Sequence, residues 1–126
     1  MARRPLRLAA ILLMPFLLTG CLDELASLFE IIAYEELGFC QKGEGGRFVE
    51  KGMSDDGGKV VVNPRGGLIG CGHPLGATGT AQAVEAFWQL RGEAGSRQVP
   101  GATIGLTHNN SGMGEHVVMI YGREAP

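Results

Sequence analysis

Residues 63–79 read NPRGGLIGCGHPLGATG, and this stretch decides the kind of fold that the chain forms. Residues 59–62, with three β-branched valines, precede it and predict a strand, and residues 75–90 carry the apolar stripe of a helix. The glycines between them let the backbone turn sharply and approach a ligand. His73 then lies on a rigid loop before a helix, where an imidazole can take a proton or donate a hydrogen bond to an oxyanion. The alternative is a purely structural histidine in a glycine-rich turn.

The flanking segments extend this unit into a layered α/β arrangement. Apolar residues at three- and four-residue spacings predict a helix over residues 22–37, followed by a polar, glycine-rich loop over residues 40–58. Residues 102–107 and 116–121 predict two strands, separated by a linker that suits a hairpin-like turn. The order of helix, strand, helix, strand and strand predicts an α/β fold, a mixed sheet with helices on its faces.

Composition excludes several classes of function. The chain has 126 residues, of which 44% are hydrophobic and 19% charged, and its 13 acidic residues exceed its 11 basic ones. No net basic field exists to hold nucleic acid, so we expect no nucleic-acid partner. Cys21, Cys40 and Cys71 form no Cys-x-x-Cys pair, and no carboxylate lies at a ligand spacing from the histidines, so we expect no metal site. Cys71 lies two residues before His73, which suggests a substitute nucleophile, but a small residue in a glycine loop is the favoured interpretation.

The first 21 residues differ from the rest of the chain. Arg3, Arg4 and Arg7 precede the apolar run 8–18, and Cys21 follows it, which resembles the signal and lipobox of bacterial lipoproteins. The run is shorter than the about 20 residues of a membrane-spanning helix. We therefore assign residues 1–21 to a leader that is either signal-like or spurious, and residues 22–126 to the folded domain.

Three motifs resemble those of the thiolase family. Residues 63–79 are similar to the glycine-rich loop of thiolases, with its Gly-His-Pro-x-Gly-Ala-[Ser/Thr]-Gly end. Residues 107–114, which read THNNSGMG, resemble the C-terminal catalytic loop of the family. Residues 30–48 resemble the sterol-carrier-type and archaeal-type branch. The motifs follow one another in the family's order and cover about residues 30–126, so the resemblance implies an incomplete thiolase C-terminal domain, a partial thiolase-like half-domain.

The resemblance implies roles for individual residues. His73 matches the histidine that activates the nucleophile and helps to form an oxyanion hole. His108 stands where many thiolases carry an acid/base cysteine. The remaining site residues belong to the oxyanion and substrate loop, and they are Gly72, Asn110, Gly112 and Gly114. The implied chemistry is acyl transfer between coenzyme A thioesters, with acyl-CoA as substrate, no further cofactor and a cytoplasmic location.

The departures from the family pattern lead us to expect a truncated fragment that is inactive without a partner. Asp23 and Leu25 occupy the positions where that branch carries the histidine and cysteine of its His-Asp-Cys-Phe motif, and the nucleophile-bearing N-terminal half has no counterpart here. We also expect the first strand and helix of the half-domain to be missing, which leaves the apolar faces of 75–90 and 102–107 uncovered.

Two alternatives stay open, and they differ in whether the chain takes part in catalysis. One is a split subunit that pairs with a separate N-terminal half or with a small OB-fold protein, within an oligomer like those of intact relatives. The other is a lipid-anchored, non-enzymatic binding module held at a membrane through Cys21.

Overall fold

A computed structural model describes the backbone of residues 16–20 and the whole of residues 27–110 and 114–123, apart from the side chain of Ser27. The described residues contain the five predicted elements and three further ones. The elements are β1 (Phe16–Gly20), α1 (Ser27–Glu36), α2 (Gly45–Glu50), β2 (Val60–Val62), α3 (Gly67–Cys71), α4 (Thr78–Arg91), β3 (Ile104–Asn110) and β4 (His116–Gly122), with a 3₁₀ turn at Gly95–Arg97. Within the described ranges, every helix falls short of what a membrane-crossing helix needs in length and apolar character.

The strands form one mixed sheet with the order β2-β1-β3-β4. β1 lies parallel to both β2 and β3, and β3 pairs with β4 in antiparallel register from Ile104↔Gly122 to Asn110↔His116. The predicted α/β class and the predicted hairpin of the last two strands are therefore confirmed. The C-terminal ends of the three parallel strands share one edge of the sheet, which is where open α/β sheets bind ligands.

The strand between β2 and β3 comes from the segment that the sequence assigns to a leader. Phe16 pairs with Val60 on one side and with Ile104 on the other. A short apolar run suits a central parallel strand, because such a strand is covered on both faces. The sheet thus extends across the expected domain boundary at residue 21, and β1 fills the position beside β3 for which the sequence analysis expects no strand. The interpretation of residues 1–21 as a signal-like leader stays a prediction, and Cys21 lies outside the described residues.

Helices cover the sheet on two faces, and neighbouring residues of β2 show why. Val60 packs in a cluster with Tyr34, Phe48 and Leu106, whereas Val61 packs in a second cluster. That second cluster contains Ala86, Val99 and Ala102. Successive strand residues point to opposite faces of a sheet, so α1 and α2 lie on one face and α4 on the other. The prediction that residues 102–107 leave an uncovered face is wrong at Leu106 and Thr107, because both side chains are buried.

Helix α2 lies inside the segment 40–58 that the sequence analysis expects to be a loop. The helix forms because its Phe48 is buried in the core cluster. Gly45 begins α2 at a point where the backbone lies close to α1, since a Cβ there would lie 2.6 Å from Ile31 Cγ2. The Gly45 N–H donates to Glu35 Oε1 at 2.9 Å. Backbone hydrogen bonds from Gly43 and Gly45, together with the charge of Lys42, lower the pKa of Glu35 below its ordinary value.

A buried amide fixes α4 to the segment that leads into β3. Gln89 is 1% exposed, and its Nε2 donates to the Arg97 carbonyl at 2.7 Å and to Glu85 Oε1 at 3.0 Å. Its Oε1 accepts the Val99 N–H at 2.8 Å. The Glu85 carboxylate, itself 1% exposed, also pairs with the Arg97 guanidinium at 3.0 Å. These contacts satisfy buried polar groups that would otherwise oppose the docking of α4 on the sheet.

Candidate functional site

The orientation of His73 is set by the first residue of α4. Its Nδ1 lies 2.8 Å from Thr78 Oγ1, and Thr78 Oγ1 donates to the Pro74 carbonyl at 3.1 Å. A hydroxyl has a single hydrogen to donate. Thr78 must therefore accept from His73, so the neutral imidazole carries its hydrogen on Nδ1 and its lone pair on Nε2. Nε2 is the basic nitrogen of this half-buried ring.

Helix α4 begins three residues later than the expected residue 75. Residues 75–77 form a turn in which the Pro74 carbonyl accepts the N–H groups of Ala77 and Thr78. His73 consequently lies five residues before the first residue of the helix. The ring reaches the helix through the Thr78 hydroxyl, a contact that the sequence analysis did not identify.

The glycine-rich loop contains a short helix, α3, where the sequence predicts only turns. Gly66 and Gly67 enter that helix with φ of +92° and +56°, and Gly72 leaves it with φ of +76°. A side chain is rarely tolerated at such angles. Asn63 opens the loop at φ +50°, the only positive φ at a residue other than glycine among those described. This backbone turns the chain around the predicted oxyanion residue Gly72 and delivers His73 to the C-terminal edge of the sheet.

Neither described cysteine has the surroundings of a nucleophile. The exposed Cys71 thiol donates to the Arg65 carbonyl at 3.3 Å, which points it back along its own loop. Burial raises the pKa of the Cys40 thiol, and the carboxylates of Glu35 and Glu44 raise it further. A raised pKa keeps a thiol protonated, and the thiolate is the reactive form.

His108, the second predicted catalytic residue, lies near the C-terminal end of β3 and is 9% exposed. Its Nε2 is 3.0 Å from Nδ1 of His116, which begins β4. Asn110 ends β3, and its Oδ1 is buried without a hydrogen-bond partner among the described residues. Gly114 has φ of +85° and is exposed. The predicted site residue Gly112 lies outside the described residues.

The two motifs with the predicted catalytic histidines meet through Gly79 and Asn109. A Cβ built on Gly79 would lie 3.4 Å from Asn109 Oδ1. The start of α4 therefore packs directly on the end of β3, and the missing side chain of Gly79 permits that approach. His73 follows β2 and His108 lies in β3, so both belong to the same edge of the sheet. The sequence singled out both histidines but not Thr78, Asn109 or His116, which hold the site together.

A small cavity of about 60 Å³ lies between the glycine-rich loop and α4, and Cys71, Pro74, Thr78 and Gln82 are among its lining residues. Ligand pockets usually measure about 300–1,000 Å³, so this cavity has room for a few water molecules and not for an acyl thioester. Gln82 is 8% exposed, and both polar atoms of its amide lack a partner among the described residues. In the same ranges, no three His, Cys, Asp or Glu side chains converge as a metal site would require.

Comparison with known proteins agrees with the motifs. Residues 20–123 match the model of a family described as thiolase C-terminal domain-like. Sterol carrier protein 2 of Bos taurus is 60% identical over 92 residues, which cover 73% of this chain and 17% of that protein. An acetyl-CoA acetyltransferase of Methanothermobacter thermautotrophicus is 64% identical over 84 residues, which cover 67% of this chain and 22% of that protein. The chain thus spans about a fifth of the length of the relatives it matches.

A solved structure supports the fold. The Ltp2-ChsH2(DUF35) aldolase superposes with a TM-score of 0.68 at 25% identity, over 86% of this chain and 26% of that one. The similarity is therefore confined to one part of a larger architecture, as it is for the curated relatives.

Proposed function

Because the chain belongs to the thiolase C-terminal domain-like family, we propose that it is the acid/base half of an acyltransferase that acts on coenzyme A thioesters. The hydrogen bond from His73 Nδ1 to Thr78 Oγ1 carries this proposal, because it leaves Nε2 as the basic nitrogen. In the proposed reaction, a thiolate attacks the thioester carbonyl, and His73 takes the proton of the nucleophile and stabilises the oxyanion. His108 handles the second proton.

The nucleophile is proposed to come from a separate N-terminal half. Cys71 bonds to a carbonyl within its own loop, and Cys40 has a raised pKa. General-base catalysis contributes only about 10²–10⁴-fold, so His73 by itself would give little turnover. We therefore expect the isolated chain to show no acyl transfer above background, and the acyl-CoA substrate to bind between two halves.

Exposed apolar side chains support a partner. Val84, Phe87 and Trp88 on α4 are 38–55% exposed, and β4 exposes its apolar residues 117–120 at the edge of the sheet. Contiguous exposed apolar surface commonly marks an interaction site, and an unpaired strand edge invites association. We expect the isolated chain to be oligomeric or poorly soluble, with an N-terminal half as its partner. An OB-fold protein is the alternative.

The experiment is complementation. The chain is co-expressed with an N-terminal thiolase half that carries the cysteine, and acetoacetyl-CoA thiolysis is followed from the absorbance of the thioester. We expect turnover from the pair, its loss in His73→Ala, and its retention in the surface control Gln41→Ala. Robust acyl transfer by the unpaired, monomeric chain would overturn the proposal and direct attention to Cys71.

A non-enzymatic, lipid-anchored binding module is the second candidate, and the lipobox-like run before Cys21 is the observation that favours it. We propose a cytoplasmic location instead, because coenzyme A chemistry is intracellular. We expect no incorporation of radiolabelled palmitate. Incorporation that disappears in Cys21→Ala would instead establish the membrane-anchored alternative.

A further inference from the structure

Among the described residues, one buried side chain of α4 borders a pocket with both of its polar atoms unpaired. Gln82 is 8% exposed, and neither its Nε2 nor its Oε1 has a hydrogen-bond partner in the described ranges. The residue lines the small cavity of about 60 Å³ between the glycine-rich loop and α4. Burying an amide without partners is unfavourable, so a folded chain that keeps one there holds a binding group in reserve.

The other two buried polar side chains that line this pocket already have partners. Thr78 Oγ1 lies 2.8 Å from Nδ1 of His73, and the Glu85 carboxylate pairs with the Arg97 guanidinium at 3.0 Å. Gln82 lies between Thr78 and Glu85 on the same helix. Its amide is therefore the group at the buried end of the pocket that has a donor and an acceptor to offer.

The pocket connects this buried amide to the surface. Of its lining residues, Arg65 and Cys71 are exposed, whereas Gln82 is buried. Arg65 and Ala81 also line a wider groove of about 530 Å³, which Trp88 borders. A polypeptide that lies in the groove can therefore reach Gln82 with a single side chain.

We propose that this pocket receives a side-chain carboxamide, from asparagine or glutamine, of the N-terminal half, an inference that rests on the proposed function. A carboxamide presents a donor and an acceptor side by side, so it forms two reciprocal hydrogen bonds with Gln82. A carboxylate offers acceptors alone and leaves Oε1 unpaired, while an ammonium or guanidinium group offers donors alone and leaves Nε2 unpaired. A space for a few water molecules holds the three non-hydrogen atoms of a carboxamide but excludes a stretch of backbone.

The groove beside the pocket belongs to the surface that we propose for the N-terminal half. Val84 and Trp88 line it and are 38% and 42% exposed. A partner that covers these apolar side chains also covers Arg65 and Ala81, which line both the groove and the pocket. Protein interfaces combine an apolar core with a limited number of direct hydrogen bonds, and a pair of buried amides fixes how the two halves align.

The test measures the affinity of the full chain for an N-terminal thiolase half by calorimetric titration. Gln82→Met removes the donor and the acceptor, and it leaves the carboxamide of the partner buried and unpaired. We expect Kd to rise roughly 10–100-fold, the cost of one buried polar group without a partner. The matched control Gln41→Met, at an exposed position outside the groove, should leave Kd unchanged. The free energy of unfolding of the isolated Gln82→Met chain should not fall, which excludes misfolding as the cause.

Acetamide is a probe that requires neither the partner nor catalysis. It carries the proposed carboxamide, whereas acetate has nearly the same size and offers acceptors alone. In a chain with ¹⁵N-labelled glutamine side chains, we expect acetamide at high millimolar concentration to shift the N–H signals of Gln82, which are identified by their loss in Gln82→Met. Acetate should leave these signals unchanged.

An unchanged Kd in Gln82→Met would overturn the inference, as would Gln82 signals that do not respond to acetamide or respond equally to acetate. A loss of folding stability in Gln82→Met would also overturn it, because bound water would then already satisfy the amide in the isolated chain. If the N-terminal half did not bind, or if the assembled halves gave no turnover, the proposed function would fail instead, while the acetamide spectra would still judge the pocket.

Discussion

Two glutamines of α4 provide a matched test of what holds this half-domain together. Gln89 and Gln82 lie in the same helix and are both buried, at 1% and 8% exposure. The amide of Gln89 makes three hydrogen bonds, whereas that of Gln82 makes none to the described residues. Methionine matches glutamine closely in length and in helix propensity. The same substitution should therefore have opposite consequences at the two positions.

Gln89→Met should be strongly destabilising. It removes the partner of the Val99 N–H, which lies in a residue only 3% exposed, and it removes one donor from the Arg97 carbonyl and from Glu85. A buried polar group that loses its partner costs about 1–3 kcal/mol, and the Arg97 carbonyl adds a smaller amount because its residue is exposed. We expect a loss of about 2–4 kcal/mol, a large fraction of the roughly 5–15 kcal/mol of a typical domain.

Gln82→Met should leave the free energy of unfolding unchanged or raise it by about 1 kcal/mol, since it relieves the cost of burying an unpaired amide. Urea unfolding followed by the fluorescence of Trp88, the only tryptophan of the chain and a residue of α4, measures both variants. A loss of stability in Gln82→Met as large as that in Gln89→Met would refute the reasoning, because it would show that the Gln82 amide is satisfied.

Three further predictions concern other contacts. Gly45→Ala should destabilise the chain by about 1–3 kcal/mol through overpacking, whereas Gly46→Ala, which meets no atom within 4 Å, should be neutral or stabilising in the same melts; equal effects would contradict this. Because the pKa of Glu35 is lowered in the folded chain, this carboxylate stabilises the fold at pH values above its ordinary pKa of 4.5, and that stabilisation is lost as the pH falls through the lowered pKa. Urea melts at several pH values should show a weaker pH dependence in Glu35→Gln, and a profile identical to that of the wild type would disprove this. Thr78→Val should reduce turnover of the complemented pair of halves on the order of 10-fold, by releasing His73, whereas Thr78→Ser should not; full activity in Thr78→Val would show that His73 does not depend on this hydroxyl.

Local patterns were sufficient for the five elements that the sequence analysis predicts and for His73, whereas β1, α2 and α3 were not predicted. The spacing of apolar residues identified α1 and α4 to within a few residues, although several of those residues, Phe29 and Phe87 among them, are exposed. The glycine-rich motif identified His73, since the motif requires a backbone that turns sharply wherever it occurs. The hairpin of β3 and β4 also followed from short-range information, because its two strands are neighbours in the sequence.

The role of the apolar run at residues 16–20 depended on tertiary structure. A short apolar run after arginines suits a leader as well as it suits a buried strand, because periodicity cannot separate these cases. The neighbouring strands β2 and β3 decide that the run forms a strand, because their backbone groups pair with it along both of its edges. Those edges are separated from the run by about 40 and 85 residues of chain.

The contacts of the predicted catalytic residues were likewise decided by the fold. The register of β4 with β3 places the exposed His116 against His108. Thr78 holds His73 because the chain turns at residues 74–77 before the helix begins. By itself, the sequence predicted which residues would carry the chemistry, since their types and order are local. Their orientation arose only from tertiary contacts, because a hydrogen bond across a turn or a sheet depends on where two separate segments come to lie.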